Sequence, residues 1–299
     1  MIGGRVGIVG VGNMGGAMAA RLLDGGWQVQ VCDLDLGKTQ ALAALGATIG
    51  QTPAACAIDC AALIVCVVDT GQMEAVLFGE AGAVRTLRAG RDVLLCPTIA
   101  PQDAERFAAE LQQRGLCAID APMSGGPARA RDGTMSLMLA GDEAALQRQH
   151  ALIGALSSKA FRISGRPGDG ARTKLVNNLL AGINLVGAAE AIALAQRLGL
   201  SAERTLSVIE QSSGQSWIGS DRMRRAIAGD FEPRAHMTLL EKDTGLALRA
   251  AADAGFAGPL GAAAHAVFSR ACAAGLDGLD DAALLQFLRL AQTTPAADP

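Results

Sequence analysis

Three glycines at fixed spacing, placed directly after a short apolar run, constrain this chain more than any other feature. Val6-Gly7-Ile8-Val9 reads as a buried strand, Gly10-Val11-Gly12-Asn13-Met14-Gly15 comes directly after it, and Met14 to Leu23 has helical character. A strand that turns this quickly into a helix uses glycine for three reasons. The first makes the tight turn, the second lets a bound group approach the backbone, and the third lets helix and strand pack closely. With 37 glycines in 299 residues the pattern also arises by chance, so context decides. A second strand, Gln28-Val29-Gln30-Val31-Cys32, ends at Asp33. That is the distance, about 20 residues on, at which dinucleotide-binding turns carry an acid. Gly10, Gly12, Asn13, Met14 and Gly15 are therefore expected to hold a pyrophosphate at a helix N-terminus, where free N–H groups and the helix dipole favour anions. Asp33 is expected to accept from a ribose 2′-hydroxyl and to repel a 2′-phosphate, which points to NAD rather than NADP. The competing structural explanation makes Asp33 or Asp35 a helix N-cap. Lys38 is the nearest cation.

Further strand-like runs occur at Ala62 to Val68, Val93 to Cys96, Cys117 to Asp120, Thr134 to Ala140 and Ala160 to Ile163. The runs at Ala62 to Val68 and Val93 to Cys96 are continuously apolar rather than alternating, as in parallel strands covered on both faces. With helical stretches between them they predict a doubly wound α/β domain. The character changes at Gly165-Arg166-Pro167-Gly168-Asp169-Gly170, a breaker-rich linker. Beyond it only helical patterns appear: one long helix over 171–198 and shorter ones near 201–211, 219–228, 238–254, 259–274 and 281–290. The expected division is a Rossmann-type dinucleotide-binding domain over 1–165 and an all-helical domain over 166–299. The tail at 293–299 is expected to fray.

Composition removes several classes of function. Charges nearly cancel, with 26 Lys+Arg against 29 Asp+Glu, whereas a nucleic-acid protein needs a basic footprint. There is no Tyr, so any mechanism built on a tyrosine acid is excluded. His150, His236 and His265 are widely spaced, and Cys56 and Cys60 lack a second pair, so no metal site is expected. The seven cysteines, mostly inside apolar runs, suit buried reduced thiols in a cytoplasmic protein. The longest unbroken apolar run, at 60–68, falls well short of the roughly 20 residues of a membrane span. Ala17-Met18-Ala19 mimics a signal cleavage site but has no basic leader before it.

Lys174 stands out on the long helix. It sits in Arg172-Thr173-Lys174-Leu175-Val176-Asn177-Asn178, and the rest of the helix is mostly Ala, Gly, Leu, Ile and Val. A helix apolar on nearly every face is a buried one. Lys174 and Asn178, four apart, share a face, and a buried lysine and amide are costly unless paired. The alternative is a lysine that snorkels to solvent. Ser124-Gly125-Gly126 lies just past a strand end, where ligands of open α/β sheets bind, and adjacent glycines expose N–H groups suited to a carboxylate. A flexible glycine turn is the rival explanation there. Trp217 is as well explained by a core position as by a substrate pocket, and His236 reads as structural or solvent-facing.

In order along the chain, four motifs carry a resemblance to the β-hydroxyacid dehydrogenase family. They are the loop at 7–15, Asp120-Ala121-Pro122-Met123-Ser124-Gly125-Gly126 with Gly133-Thr134, Gly168-Asp169-Gly170 with Lys174 and Asn177-Asn178, and Lys242-Asp243. The resemblance implies Lys174 as the catalytic residue with Asn178 as its polar neighbour. It implies that Ser124, Gly125 and Gly126 hold a substrate carboxylate. It implies Val67 and Val68, ending a strand, along the cofactor, and Thr98 and Lys242 on its nicotinamide side. A helical second domain and a homodimer or homotetramer are implied as well. The chain departs from many members at Pro97-Thr98-Ile99-Ala100-Pro101 and at Val67-Val68-Asp69, and around 73–79 it leans towards the threonate-dehydrogenase branch. The resulting expectation is a hydride transfer between NAD and a small β-hydroxyacid or its semialdehyde, with Lys174 as general acid and base. The rivals are an NADPH-preferring semialdehyde reductase and a non-catalytic dehydrogenase-like binding protein.

Overall fold

The computed structural model describes residues 4–291, and the tail expected to fray lies outside them. The chain divides into two compact units, Met1–Lys174 and Leu175–Pro299. In the first, β1 (Val6–Val9) leads into α1 (Asn13–Asp24), β2 (Val29–Cys32), α2 (Leu36–Ala43) and a short β3 (Thr48–Ile49). The alternation continues with α3 (Pro53–Ala57), β4 (Ala62–Val65), α4 (Thr70–Phe78), β5 (Asp92–Leu95), α5 (Pro101–Gln113) and β6 (Cys117–Asp120). Then come β7 (Met123–Ser124), α6 (Gly126–Asp132), β8 (Ser136–Gly141), α7 (Glu143–Arg148), α8 (His150–Leu156) and β9 (Lys159–Ser164).

The strands form one sheet in the order β3-β2-β1-β4-β5-β6-β8-β7, with β9 also paired to β8. From β3 to β6 every pairing is parallel, and β8 runs antiparallel to both β6 and β7. Ile8, Ile64, Leu94 and Ile119 pack into one hydrophobic cluster, while Val9, Leu63, Val65, Val93 and Leu95 pack into another. Successive strand side chains point to opposite faces, so a run apolar at every position needs cover on both. That is why the sequence shows runs rather than alternation.

One strand stops well short of expectation, and two short strands are new. The strand begun at Ala62 stops at Val65, so Val67 and Val68 lie in the loop beyond it. There Asp69 caps α4 by accepting from the Gln72 N–H at 2.8 Å. Just past β4 the chain runs against the glycine loop: the Cys66 carbonyl oxygen is 2.5 Å from where a Cβ on Gly10 would stand. The strands β3 and β7 are additions to the expected set, because two residues are too few to show a period.

One helix, α9 (Asp169–Arg197), begins in the first unit and continues into the second. The second unit adds α10 (Ala202–Glu210), α11 (Trp217–Ala228), α12 (Met237–Asp253), α13 (Pro259–Ala271) and α14 (Leu284–Ala291). Among its described residues there is no strand, only an isolated bridge between His236 and Asp280. Leu185, Ile192, Met223, Met237, Phe268 and Leu285 form its core. After Ala271 the expected helix gives way to a π-helical segment, where Gly275 adopts φ 85°. The helix expected at 281–290 opens with a 3-10 turn at Asp281–Ala283.

The long helix α9, apolar on nearly every face, leaves Val176, Leu180 and Leu194 exposed within a single chain. It also contains an 18-residue window of mean hydropathy 1.5, long and apolar enough by composition to cross a membrane. A search for unbroken apolar runs overlooks this window, because polar residues such as Asn184 interrupt it. Core helices of soluble proteins meet the same criterion.

Candidate active site

Strand order reverses at β1: β2 and β3 extend to one side of it and β4, β5 and β6 to the other. Ligands of open parallel sheets bind beyond the carboxyl ends of the strands at such a point. The glycine loop lies there. Gly10 adopts φ +88°, and a Cβ on it would stand 2.5 Å from the Cys66 carbonyl oxygen and 3.0 Å from Val67 Cγ1. Gly15 is held equally tightly, since its Cβ would stand 1.9 Å from the Gly10 carbonyl oxygen. Gly12 is different. It has φ −65° as the N-cap of α1, and a Cβ there would meet nothing within 4 Å. The polypeptide makes no steric demand for glycine at that position, so the open space suits a group from outside the chain. Asn13 and Met14 open α1 beside it. This cradle fits the pyrophosphate of a dinucleotide.

Asp33, half-buried, stands just past β2. Its Oδ2 accepts from the Val11 N–H at 2.7 Å and its Oδ1 from the Asp35 N–H at 2.9 Å. The N-cap of α2 is Asp35, which accepts from the Gly37 N–H. Asp33 is thus tied to the glycine loop instead of capping the helix. A carboxylate has about four lone-pair sites, so sites remain for a ribose hydroxyl. Lys38 pairs with Asp35 at 3.4 Å, which directs the nearest cation to a neighbouring acid.

The first unit holds a second cluster. Ser124 ends β7, and the next two residues both adopt left-handed backbone, Gly125 at φ +127° and Gly126 at φ +74°. No Cβ suits either conformation, and at Gly125 it would also strike the Arg129 side chain at 2.8 Å. Four residues before Ser124, Asp120 ends β6 and is 2% exposed. Its Oδ2 accepts from the Gly168 N–H at 2.8 Å and the Ala171 N–H at 2.9 Å, at the start of α9. Burial pushes its carboxyl up to about 6, against the pull of these N–H groups. One turn further along α9 comes Lys174, only 8% exposed, so it does not snorkel to solvent. Thr98 is half-buried in the loop between β5 and α5.

Within the second unit, Asn178 is 7% exposed, and its Nδ2 donates to Asp243 Oδ2 at 2.6 Å. Lys242 Nζ lies 2.9 Å from the other oxygen of the same carboxylate. Asp243 therefore bridges two residues that sequence reasoning singles out separately. Sequence reasoning misses both its role and that of Asp120, although each stands inside one of the four family motifs. The available signal is an acid placed among apolar residues, at a strand end or on a helix. Trp217 is half-exposed at the start of α11, and His236 is exposed at the N-cap of α12.

Comparison with known proteins bears on these arrangements. Residues 5–165 match the family model of the NAD binding domain of 6-phosphogluconate dehydrogenase. Residues 168–288 match that described as the NAD-binding domain of NADP-dependent 3-hydroxyisobutyrate dehydrogenase. An L-threonate dehydrogenase of Cupriavidus necator is 36% identical over 282 residues, covering 94% of this chain and 95% of the relative. The 2-hydroxy-3-oxopropionate reductase of Escherichia coli is 32% identical, covering 96% and 97% respectively. A crystal structure described as 3-hydroxyisobutyrate dehydrogenase from Salmonella typhimurium superposes with a TM-score of 0.90 at 35% identity, over 95% of this chain and 99% of that one. Matched over nearly its whole length, and carrying the cradle for a nicotinamide dinucleotide, the chain belongs to the β-hydroxyacid dehydrogenase family, NAD(P)-dependent oxidoreductases of small hydroxy acids and their semialdehydes.

Proposed function

We propose that this protein is an NAD-dependent dehydrogenase of a small polyhydroxy acid of the threonate type, with Lys174 as general acid and base. The observation that carries the proposal is the burial of Lys174 one turn into α9, beyond the Gly168-Asp169-Gly170 motif. Oxidation of an alcohol releases a proton from the reacting oxygen, and reduction of the carbonyl returns one. When bound, the nicotinamide dinucleotide takes up or supplies the hydride. Lys174 handles the proton, accepting it as an amine and donating it as an ammonium. The chain offers no tyrosine for that work. Ser124, Gly125 and Gly126 hold the substrate carboxylate through their N–H groups, and Asn178 orients the lysine or the substrate oxygen. On the cofactor side, Gly10, Gly12, Asn13, Met14 and Gly15 hold the pyrophosphate and Asp33 the ribose. Val67 and Val68 line the dinucleotide, and Thr98 and Lys242 face the nicotinamide.

NAD is preferred to NADP in this reading because Asp33 presents a carboxylate where a 2′-phosphate would bring like charge. L-threonate heads the substrate panel because of the relatives. The boundary of the dinucleotide-binding part is drawn at 165/166, within the glycine-rich linker. A second copy of the chain covers the exposed stripe of Val176, Leu180 and Leu194, giving a homodimer or homotetramer in the cytoplasm, where the free cysteines stay reduced.

Initial rates on L-threonate and related hydroxyacids, with NAD and NADP in parallel, test the assignment. Lys174→Ala is expected to lower kcat by about 10²–10⁴-fold, the usual share of general acid–base catalysis, with NADH affinity nearly unchanged. Near-normal turnover in Lys174→Ala removes the lysine from the mechanism. Equal turnover with NADP removes the cofactor preference, and inactivity on every hydroxyacid favours a binding protein.

A further inference from the structure

We infer that Asp120 is a positioning residue for Lys174: from the end of β6 it grips the first turn of α9 and fixes the lysine relative to the Ser124–Gly126 segment. The inference rests on the proposed role of Lys174 as general acid and base. All the groups involved lie in the first unit.

The geometry is specific. One carboxylate oxygen accepts from both the Gly168 and the Ala171 N–H, and the Gly170 N–H faces the same group. The first N–H groups of a helix have no partner inside it, so this carboxylate satisfies donors that would otherwise be buried and unpaired. Gly170 shows how closely the two elements approach. A Cβ there would stand 2.9 Å from Asp120 Oδ2 and 2.7 Å from the Met138 carbonyl oxygen on β8. Gly168 adopts φ +95°, which turns the chain into the helix. The Gly-Asp-Gly motif thus has a physical reason: its glycines let the start of α9 close onto a carboxylate.

The same carboxylate stands four residues before Ser124, with only Ala121, Pro122 and Met123 between. These residues are buried, and the Ala121 N–H is bonded to the Leu95 carbonyl. Asp120 therefore joins two short rigid segments, one leading to the substrate loop and the other to the lysine. A helix start held at one carboxylate leaves Lys174, one turn on, little freedom to drift. The groups that set the Asp120 carboxyl are burial, three main-chain N–H groups and the like charge of Asp169, which is itself turned to Ser164, Arg166 and Arg172. Burial outweighs the N–H groups at this carboxylate, which makes it a poor stabiliser of the fold, and its place here is explained by what it holds.

The test is a double-mutant cycle on kcat with Asp120→Asn and Lys174→Ala, alone and together, with KM, NADH affinity and melting temperature measured for each. Asp120→Asn keeps the shape and one accepting oxygen but loses the charge that draws in the Gly168, Gly170 and Ala171 N–H groups, so the start of α9 is held less closely. A misplacement of about 1 Å costs roughly 10²-fold in rate, so kcat is expected to fall about that much while NADH affinity stays within about twofold. In the Lys174→Ala background the same substitution is expected to cost less than about threefold, because coupled residues are non-additive. Gly170→Ala, which displaces the carboxylate without removing it, is the second variant and is expected to show the same pattern. Normal kcat in folded Asp120→Asn, beside a disabled Lys174→Ala, overturns the inference and leaves the lysine in place. An Asp120→Asn loss that is undiminished in the Lys174→Ala background also overturns it. Normal kcat in Lys174→Ala overturns the functional assignment itself.

Discussion

Asp120 in the first unit and Asp280 in the second are both buried carboxylates that accept main-chain N–H groups, yet they differ in whether a guanidinium also meets the charge. Asp280, 0% exposed, accepts from the Ala282, Arg234 and Ala235 N–H groups and also from Arg225 Nη2 at 2.6 Å. Burial alone raises its carboxyl, but the Arg225 guanidinium and the three N–H groups outweigh burial and hold it at about 2. At Asp120 the N–H groups act without a guanidinium, and burial wins, raising the carboxyl to about 6. Asp169 on α9 pushes in the same direction, and the buried Cys96 thiol also faces Asp120. Asp280 therefore stabilises its unit at neutral pH, whereas Asp120 costs its unit stability there. One pKa unit corresponds to about 1.4 kcal/mol. The difference teaches that a buried acid serves the fold when a cation meets it. When only a helix start meets it, its use lies elsewhere.

Asp280→Asn is expected to have the largest effect on stability, about 2–4 kcal/mol, because it takes the nearest counter-charge from a buried guanidinium and leaves it only the half-exposed Asp221, 3.7 Å away. Turnover at 25 °C is expected to stay within about twofold. A folded-state pKa below the ordinary value contributes stability above that value, and loses it as pH falls through the folded one. The gap between the two proteins should be full at pH 7 and narrow from about pH 4 downwards. Denaturant titrations at pH 7, 4 and 3 measure it, and a gap that is unchanged at pH 3 breaks the assignment of Asp280 as a charge-paired staple.

The opposite sign is expected for Asp120→Asn. Where folding raises the pKa of an acid, the native state binds the proton more tightly, so stability falls as pH rises from about 3.8 to about 6. The asparagine variant lacks that slope. Relative to the unmodified protein it should gain about 3 kcal/mol between pH 4 and pH 7. A difference that stays flat over this range means that the N–H groups fully offset burial, and the contrast with Asp280 disappears.

How far such roles can be read without the fold depends on the kind of information involved. The parallel sheet is legible because a strand covered on both faces leaves an unbroken apolar run, as at Ala62–Val65. Gly15 is legible because its steric demand is local, against the Gly10 carbonyl five residues back, and Gly10 because a tight turn at φ +88° needs glycine, whereas the Cys66 carbonyl that crowds Gly10 is not legible. Asp33 is legible from its distance along the chain, but its bond to the Val11 N–H is not. Asp120 meets Gly168 and Ala171 across about 50 residues, and Asn178 meets Asp243 across a longer stretch. Contacts of that separation leave no period in a sequence. The exposed stripe on α9 is hidden for another reason: composition reports that a helix is apolar, but not which of its faces the rest of the chain covers.

Asp92 offers the smallest and most discriminating change, because it belongs to the same unit as Asp120 but has the kind of partner that Asp280 has. It opens β5 and is 1% exposed. Arg148 Nη2 and Nε reach its two oxygens at 2.6 and 3.2 Å, and Gln149 Nε2 donates to it at 2.7 Å. The Arg148 side chain is 44% exposed, so on losing its partner it turns to water instead of remaining buried without a counter-charge. An asparagine at 92 retains one oxygen for Gln149. Since half-solvated ion pairs contribute little and a net hydrogen bond about 1 kcal/mol, Asp92→Asn is expected to lower stability by about 1 kcal/mol. Its kcat and NADH affinity should match those of the unmodified protein, because Asp92 begins β5, whereas Asp120 is paired with Leu95 at the other end of that strand. If Asp92→Asn slows turnover as strongly as Asp120→Asn, the loss is a general response of the sheet to a disturbed carboxylate. If turnover is untouched, what matters at Asp120 is its grip on the start of α9.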